Sequence, residues 1–441
     1  MELKKIKSIR KSEINALAVS TFKRKLKKIG YLLRYGMPFN KFIKYTLSYL
    51  FVLPLAKIKI NLGSKAVKEK YFGNGGNNYN CYIAVNIGNA GIGDAITAIR
   101  FLRDFADFIL KDNKCDNKNP IVFDIFYRSP RSIEFITAPQ PNIRRVLNLT
   151  DYSLMRKFYD INLRLNTFFI KEEINEASRE KLSDKFPAVL KIIENIKTNQ
   201  APIEKYIKTR PFSEGILSDA VTAMGLSREN YLNYAAGIDI NNSRKINRRN
   251  LLKLKLDHSA TSKFNVKGIK FITIHDGWDE NTKIAEKIST KSYPPEKWTE
   301  LVRLLKQEIP NYTIVQLGGL GNGSDIEGVD LNLRGKTTLK EAASILSESS
   351  LHIDTDSGLV HIATSLGTKC VVLFGPTNAA YCSYSENLNI TPRLCGNCWW
   401  TTNGWMNSCQ KGLVVPECMS SIEPTEIANK IILKLKNDAY T

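Results

Sequence analysis

The chain has no stretch approaching the roughly eighteen uninterrupted apolar residues that a membrane-spanning helix needs. Its longest candidate, 49–56, carries Pro54 inside it. The opening run MELKKIKSIRKSE bears charge, but no apolar core or small-residue cleavage site follows it. No secretory signal is therefore expected, and the expected compartment is the cytoplasm, with the protein soluble or peripheral on a membrane face. No internal repeat recurs at a solenoid period, which removes stacked-repeat architectures. Carboxylates are the other shortage: 43 Asp and Glu stand against 64 Lys and Arg, for a formal net charge of +21. What is present is globular material, 43% apolar with 10% aromatic residues over 441 residues, enough for two or three domains with buried cores.

The charge is uneven. Residues 1–70 hold eighteen Lys or Arg against Glu2, Glu13 and Glu69, a net +15, and the other 371 residues share +6. An excess confined to one segment concerns partners rather than fold: anionic lipid, nucleic acid or an acidic protein. Within it Phe22, Leu26, Ile29 and Leu33 recur at helical steps, with Lys23, Arg24, Lys25, Lys27 and Lys28 between them. This is the pattern of an amphipathic helix with a basic face, which either packs on the body of the protein or lies on an anionic membrane surface. At such a surface each Lys or Arg contributes about 1 kcal/mol.

Eight cysteines fall into two groups. Cys81, Cys115, Cys370 and Cys382 share no spacing and read as small buried hydrophobes. Cys395, Cys398, Cys409 and Cys418 form C-x2-C-x10-C-x8-C around Trp399, Trp400 and Trp405. In a cytoplasmic protein this spacing points to a structural tetrahedral metal site rather than disulfides, and four sulfurs suit iron and zinc alike.

Along the chain, the Gly/Asn-rich FGNGGNNYN (72–80) marks a linker. CYIAVNI (81–87) reads as a buried strand, GNAGIGD as a tight glycine loop and 95–110 as a helix, and IVFDIFY (121–127) is a second strand. Helices are predicted around 170–197 and 213–225, and the Asn/Lys/Arg-rich 241–267 reads as a connection. From Phe271 the alternation is regular: strands at 271–275, 312–318, 351–354 and 370–375 are separated by helices, one opened by Pro and one by a Thr338/Glu341 capping box. Strands joined by such helices imply a parallel sheet with its ligand site at the carboxyl ends of the strands.

The segment DTDSGLVHIATSLGTKCVVLFGPTN (354–378) concentrates the chemistry. A strand ends at Asp354, a turn of Asp356, Ser357 and Gly358 follows, and a helix begins at once, so orphan N–H groups and the helix dipole offer a place for a diphosphate. Gly358 is expected to let the backbone approach the phosphate, and Ser357 to donate its hydroxyl. A helix cap without ligand would explain Asp356 and Ser357 but not the FGPTN turn after the next strand.

These residues resemble a family. D-S-G-L-x-H-x-A-x-x-L-G followed by F-G-P-T is similar to the signature of the bacterial heptosyltransferases, glycosyltransferase family nine. NLRGKTTLKEAASIL, KSYPPEKW (291–298) and GIGDAITAIRFLRDF resemble further family segments, and the likeness spans about 80–390, loosely between 130 and 265. The resemblance implies an α/β GT-B fold, two Rossmann-like domains facing a cleft. The domains expected are a basic helical extension (1–75), an acceptor domain (76–245), a nucleotide-sugar domain (265–390), a four-cysteine metal finger (391–423) and a C-terminal helix (424–441).

The implied activity is an inverting glycosyltransferase whose donor is ADP-heptose. Asp94 is implied as the general base and Lys291 as the cation that neutralises the departing diphosphate. Without the family, Asp94 reads as a helix cap and Lys291 as a solvated lysine. Asp356, Ser357, Gly358, Leu359, His361 and Gly375 are implied to bind the donor, with His361 alternatively a packed helix residue. The finger resembles that of autotransporter heptosyltransferases, which implies structural iron or zinc at Cys395, Cys398, Cys409 and Cys418, a homo-oligomer and a protein hydroxyl as acceptor. No catalytic metal is expected.

The basic amino terminus favours a second acceptor, a lipid-linked saccharide in lipopolysaccharide or capsule assembly, with attachment to the inner face of the inner membrane. Two departures leave the acceptor open: the long loop between His275 and Lys291, and the basic segment 1–80 ahead of the first strand. The competing readings are a sugar-nucleotide epimerase and a non-catalytic nucleic-acid-binding finger protein. The latter is disfavoured because Lys411 is the sole basic residue between Cys395 and Cys418.

Overall fold

The structure is a computed structural model that describes residues 81–88, 90–111, 121–209, 214–239, 250–277, 289–321, 323–402, 405 and 408–438. All of these belong to one compact unit, 77–441. The basic extension, its amphipathic 22–33 stretch and the 72–80 linker lie outside the described residues.

Two sheets carry the unit. The first has the order β3-β2-β1-β4-β5, from Ile143–Asn148, Ile121–Tyr127, Cys81–Gly88, Ile161–Leu165 and Ile170–Ile174. Its first four strands run parallel, and β5 returns antiparallel to β4. The second has the order β11-β10-β9-β6-β7-β8, from Leu388–Ile390, Cys370–Leu373, His352–Thr355, Phe271–His275, Thr313–Leu317 and Leu331–Asn332, all parallel. In each sheet the strand order reverses once, between β1 and β4 and between β6 and β9, and such switch points open crevices at the carboxyl ends of the strands. This is the α/β architecture with parallel sheets that the sequence predicts.

The region predicted as one helix over 170–197 differs. Ile170–Ile174 is a strand, and helices follow at Arg179–Lys185 and Pro187–Thr209. IKEEI alternates: Ile170 is buried and Lys171 and Glu173 are exposed, a period of two that suits a sheet edge. Phe186 leaves the helical region just before Pro187, as residues preceding proline do.

Alternation also distributes the core. In β10, Cys370 and Val372 face a core shared with Ile83 and Val85 of the first sheet and Phe101 and Phe105 of the Ile92–Lys111 helix, while Val371 and Leu373 face one built around Trp298, Ile431 and Leu305. The two halves are thus joined by continuous apolar packing. The Ile92–Lys111 helix, which follows β1, meets the Gly358–Leu366 helix, which follows β9, at their first turns. A β-carbon at Gly93 would lie 2.4 Å from Cδ2 of His361, and one at Gly358 would lie 2.3 Å from Cγ2 of Ile92. Both glycines are required by close approach.

Gly93→Ala and Gly358→Ala should each destabilise the protein by roughly 1–3 kcal/mol, the cost of overpacking a tight contact. Urea denaturation checks this; wild-type midpoints for both variants would mean that the helix ends separate freely.

Candidate active site

The reversal points deliver their side chains to one place. β1 ends at Gly88, and Asp94 sits in the first turn of the helix after it, its Oδ2 accepting from the Gly91 amide at 3.3 Å. β9 ends at Thr355, and Asp356 occupies the turn before the Gly358–Leu366 helix. Lys291 reaches this turn from the segment before the Pro295–Glu308 helix, its Nζ donating to Asp356 Oδ2 at 2.8 Å and to the Asp356 carbonyl at 3.1 Å. Two helix amino termini converge here, so their positive ends favour anions at this spot.

The carboxylates are tuned in opposite directions. Burial raises the pKa of Asp94, with Asp356 adding to the rise, while Arg228, the Gly91 amide and Lys291 oppose it. Burial also opposes ionisation of Asp356, but Lys291 and Arg228 outweigh it and hold its carboxyl well below the usual range. The two carboxyls are thus displaced in opposite directions, the separation expected when two carboxylates divide roles.

Arg228 was not singled out by the sequence. It lies outside any regular element, carries no motif, and is 6% exposed. Its Nη1 is 2.9 Å from His361 Nε2, and its Nη2 donates to Cys382 Sγ at 3.1 Å. Burial pushes the Cys382 thiol up to about 12, so the sulfur is neutral. Among the described residues no carboxylate hydrogen-bonds this guanidinium and its Nε has no partner, and the charges that act on it include Asp356 and Asp94. Because an arginine can only donate, His361 Nε2 accepts and the imidazole proton lies on Nδ1, directed at the Tyr384 hydroxyl. Burial and Arg228 keep His361 neutral, well below its ordinary pKa. Tyr384 also accepts from Arg100 Nη1 at 2.8 Å, and Arg100 Nη2 holds Ser365 at 3.0 Å. His361 is thus a buried joint between Arg228 and the helix, with Gly93 against its ring.

Beneath the turn lies a second network that the sequence presented only as strand ends. Asp354, fully buried, accepts from His275 Nδ1 at 2.9 Å and lies 3.2 Å from His352 Nε2, while His352 Nδ1 is 3.0 Å from Thr273 Oγ1. Ser357 donates its hydroxyl proton to Asp354 and accepts from the Leu359 amide at 3.1 Å as the helix cap. The proton expected to serve a phosphate is therefore committed to Asp354. The room at Gly358, expected for a phosphate, is filled by Ile92. Leu359 is 7% exposed and belongs to the core.

Gly375 is not brought into this cluster. It packs on Met419 and Cys418 and lines a cavity of about 400 Å³ with Arg393, Cys395 and Gly396. Cys395, Cys398, Cys409 and Cys418 are free thiols and electrostatic neighbours: burial and the other three raise Cys418 to about 12, and burial, Cys409 and Cys395 raise Cys398. They are gathered but not closed into a coordination shell, since among the described residues no three His, Cys, Asp or Glu side chains are grouped to hold a metal ion. Also among the described residues, no helix is long and apolar enough to cross a membrane.

Asp354 should be a keystone of stability. Burial lowers the His275 pKa, but Asp354 outweighs it and leaves it raised, so this contribution is present below the ordinary histidine pKa and is lost as pH rises through the raised one. Burial likewise opposes ionisation of Asp354, yet His275 and His352 leave its pKa lowered, so its contribution is lost only as pH falls through that lowered value. Asp354→Asn should cost roughly 3 kcal/mol at about pH 6 and less at about pH 9. Urea unfolding at the two pH values tests it, and a loss that grows with pH would contradict the pairing.

Residues 281–392 match the family model described as Glycosyltransferase family 9 (heptosyltransferase). A segment of 51 residues is 39% identical to lipooligosaccharide heptosyltransferase 2 of Haemophilus influenzae and spans 12% of this chain and 15% of that relative. The iron-containing dodecameric glycosyltransferase TibC from enterotoxigenic E. coli is similar in fold, with 14% identity, 80% of this chain and 78% of that chain covered, and a TM-score of 0.50. The ADP-heptose lps heptosyltransferase II of E. coli aligns at 14% identity over 80% of this chain and 99% of that chain, with a TM-score of 0.47. The matched region ends just short of Cys395 and contains Lys291, Asp356, Ser357, Gly358, Leu359, His361 and Gly375. Over that region the chain is similar to glycosyltransferase family 9, the heptosyltransferases.

Proposed function

We propose that this protein is a glycosyltransferase that moves a sugar from a nucleotide-linked donor to an acceptor hydroxyl with inversion at the anomeric carbon. The observation that carries the reading is the pair of oppositely tuned carboxylates, Asp94 and Asp356, acted on by the same two cations, Lys291 and Arg228. Asp94 takes the proton from the acceptor hydroxyl as its oxygen attacks the anomeric carbon. The bond to the diphosphate breaks on the opposite face, and the leaving oxygen keeps the electron pair. Lys291, the converging helix ends and Arg228 stabilise the charge that grows there.

The donor we assign is ADP-heptose, on the strength of the family description rather than of a contact. The leading acceptor is a protein hydroxyl, with a lipid-linked saccharide second. The four thiols suit a structural iron or zinc ion in donor chemistry, and Cys395, Cys398, Cys409 and Cys418 would hold it as thiolates. Oligomerisation and attachment of residues 1–70 to an anionic inner-membrane face belong to the same reading. A nucleic-acid role fits less well, because Lys411 is already paired with Glu417 at 2.8 Å.

ADP should raise the melting temperature selectively over UDP, GDP and CMP, by the equivalent of about 2.7 kcal/mol at a hundredfold excess over Kd. Asp94→Asn should keep that response while losing roughly 10²–10⁴-fold in transfer. Silence to every nucleotide would end the glycosyltransferase reading. Because Asp94 acts ionised, kcat/KM should rise with pH through a limb above the ordinary carboxylate range, and Arg228→Gln should move that limb higher by removing the largest opposing charge. A limb that stays put or moves down in this variant would remove Asp94 from the role of base.

A further inference from the structure

The four-cysteine segment has no part in the mechanism above, yet it touches the reaction centre. Lys291 Nζ lies 4.6 Å from the ring centroid of Trp399, the residue after Cys398. The ammonium has three donors, two of them engaged by Asp356, and the indole face covers another side, so the lysine has little freedom to swing. Trp399 is itself fixed. It is 5% exposed, its amide donates to the Pro376 carbonyl at 2.9 Å, and its ring packs edge-on against Trp405 at 4.5 Å.

The aromatic contacts continue from there. Trp399 meets Trp400 at 5.9 Å, Trp400 meets Phe168 at 5.5 Å, and Phe168 stacks on Tyr381 at 5.0 Å. The Tyr381 carbonyl accepts the Arg228 amide at 2.8 Å. Trp400 adopts φ +60°, which a bulky residue takes only where its surroundings impose it. One aromatic chain therefore runs from the lysine to the arginine, across both halves of the fold.

We infer that Trp399 is a positioning residue that seats the Lys291 ammonium over its indole face, making the four-cysteine segment a working wall of the active site. The inference rests on the proposed role of Lys291 at the diphosphate. Trp399→Leu removes the π face and Trp399→Phe keeps one.

A double-mutant cycle with Lys291→Met, read as ADP affinity by calorimetry, tests the coupling. Trp399→Leu should weaken ADP roughly three- to thirtyfold in the wild-type background, should cost nothing further beside Lys291→Met, and should be largely rescued by phenylalanine. A second readout needs no nucleotide: acetylation of Lys291, followed by peptide mass spectrometry, should accelerate in Trp399→Leu and stay near wild type in Trp399→Phe. If the wild type binds no ADP, the functional reading falls and the labelling alone decides the seat. Equal ADP losses in both backgrounds, or unchanged labelling in Trp399→Leu, would overturn the inference.

Discussion

The Ile92–Lys111 and Gly358–Leu366 helices meet at two positions where no side chain fits, with Gly93 against the ring of His361 and Gly358 against the methyl of Ile92. Each half of the fold supplies one glycine and one side chain to this contact, so the halves are indexed on each other to within a methyl group. Asp94 lies one residue from the first glycine and Asp356 two residues from the second. The relative placement of the two carboxylates is thus inherited from backbone packing, and the buried bonds from His361 to Tyr384 and Arg228 hold the joint from behind.

Electrostatics follows from that placement. Two positive helix ends, a lysine and an arginine surround two acids in a space where burial strengthens every charge interaction. Burial alone would raise both acids. The cations decide otherwise for Asp356, whose partner is in direct contact, and fail to do so for Asp94, which has only an amide and charges at a distance. Opposite shifts in chemically identical groups thus arise from contact against proximity.

Much of this was legible in the sequence. Long, strongly patterned elements announced themselves: CYIAVNI, FITIH, CVVLFG and the Thr338/Glu341 capping box, which forms with both of its reciprocal bonds. The turn at Asp356 is readable from its strand–turn–helix pattern and the lysine at 291 from resemblance, and the structure pairs them. What could not be read was what depends on tertiary neighbours. Arg228 sits in a turn with no periodicity, and its importance lies in His361 and Cys382, more than a hundred residues away. Five residues hold too few periods to separate strand from helix at Ile170–Ile174, and pairing with β4 decides for strand. The pattern offers the Ser357 hydroxyl as a donor, but only the fold shows that Asp354 beneath it claims the proton.

The antiparallel strand β5 also restricts how copies of the protein can associate. Among the described residues it forms one edge of the first sheet, and on that edge the Ile170 amide is already taken by the Gln200 side chain at 3.2 Å. Its sequence, IKEEI, sets Lys171 and Glu173 outward and Glu172 half-buried between them. A second copy adding itself parallel and in register would stack charge on like charge along the new ladder, a penalty repeated at each charged position. Parallel, in-register growth of the sheet from molecule to molecule is thereby discouraged at this border.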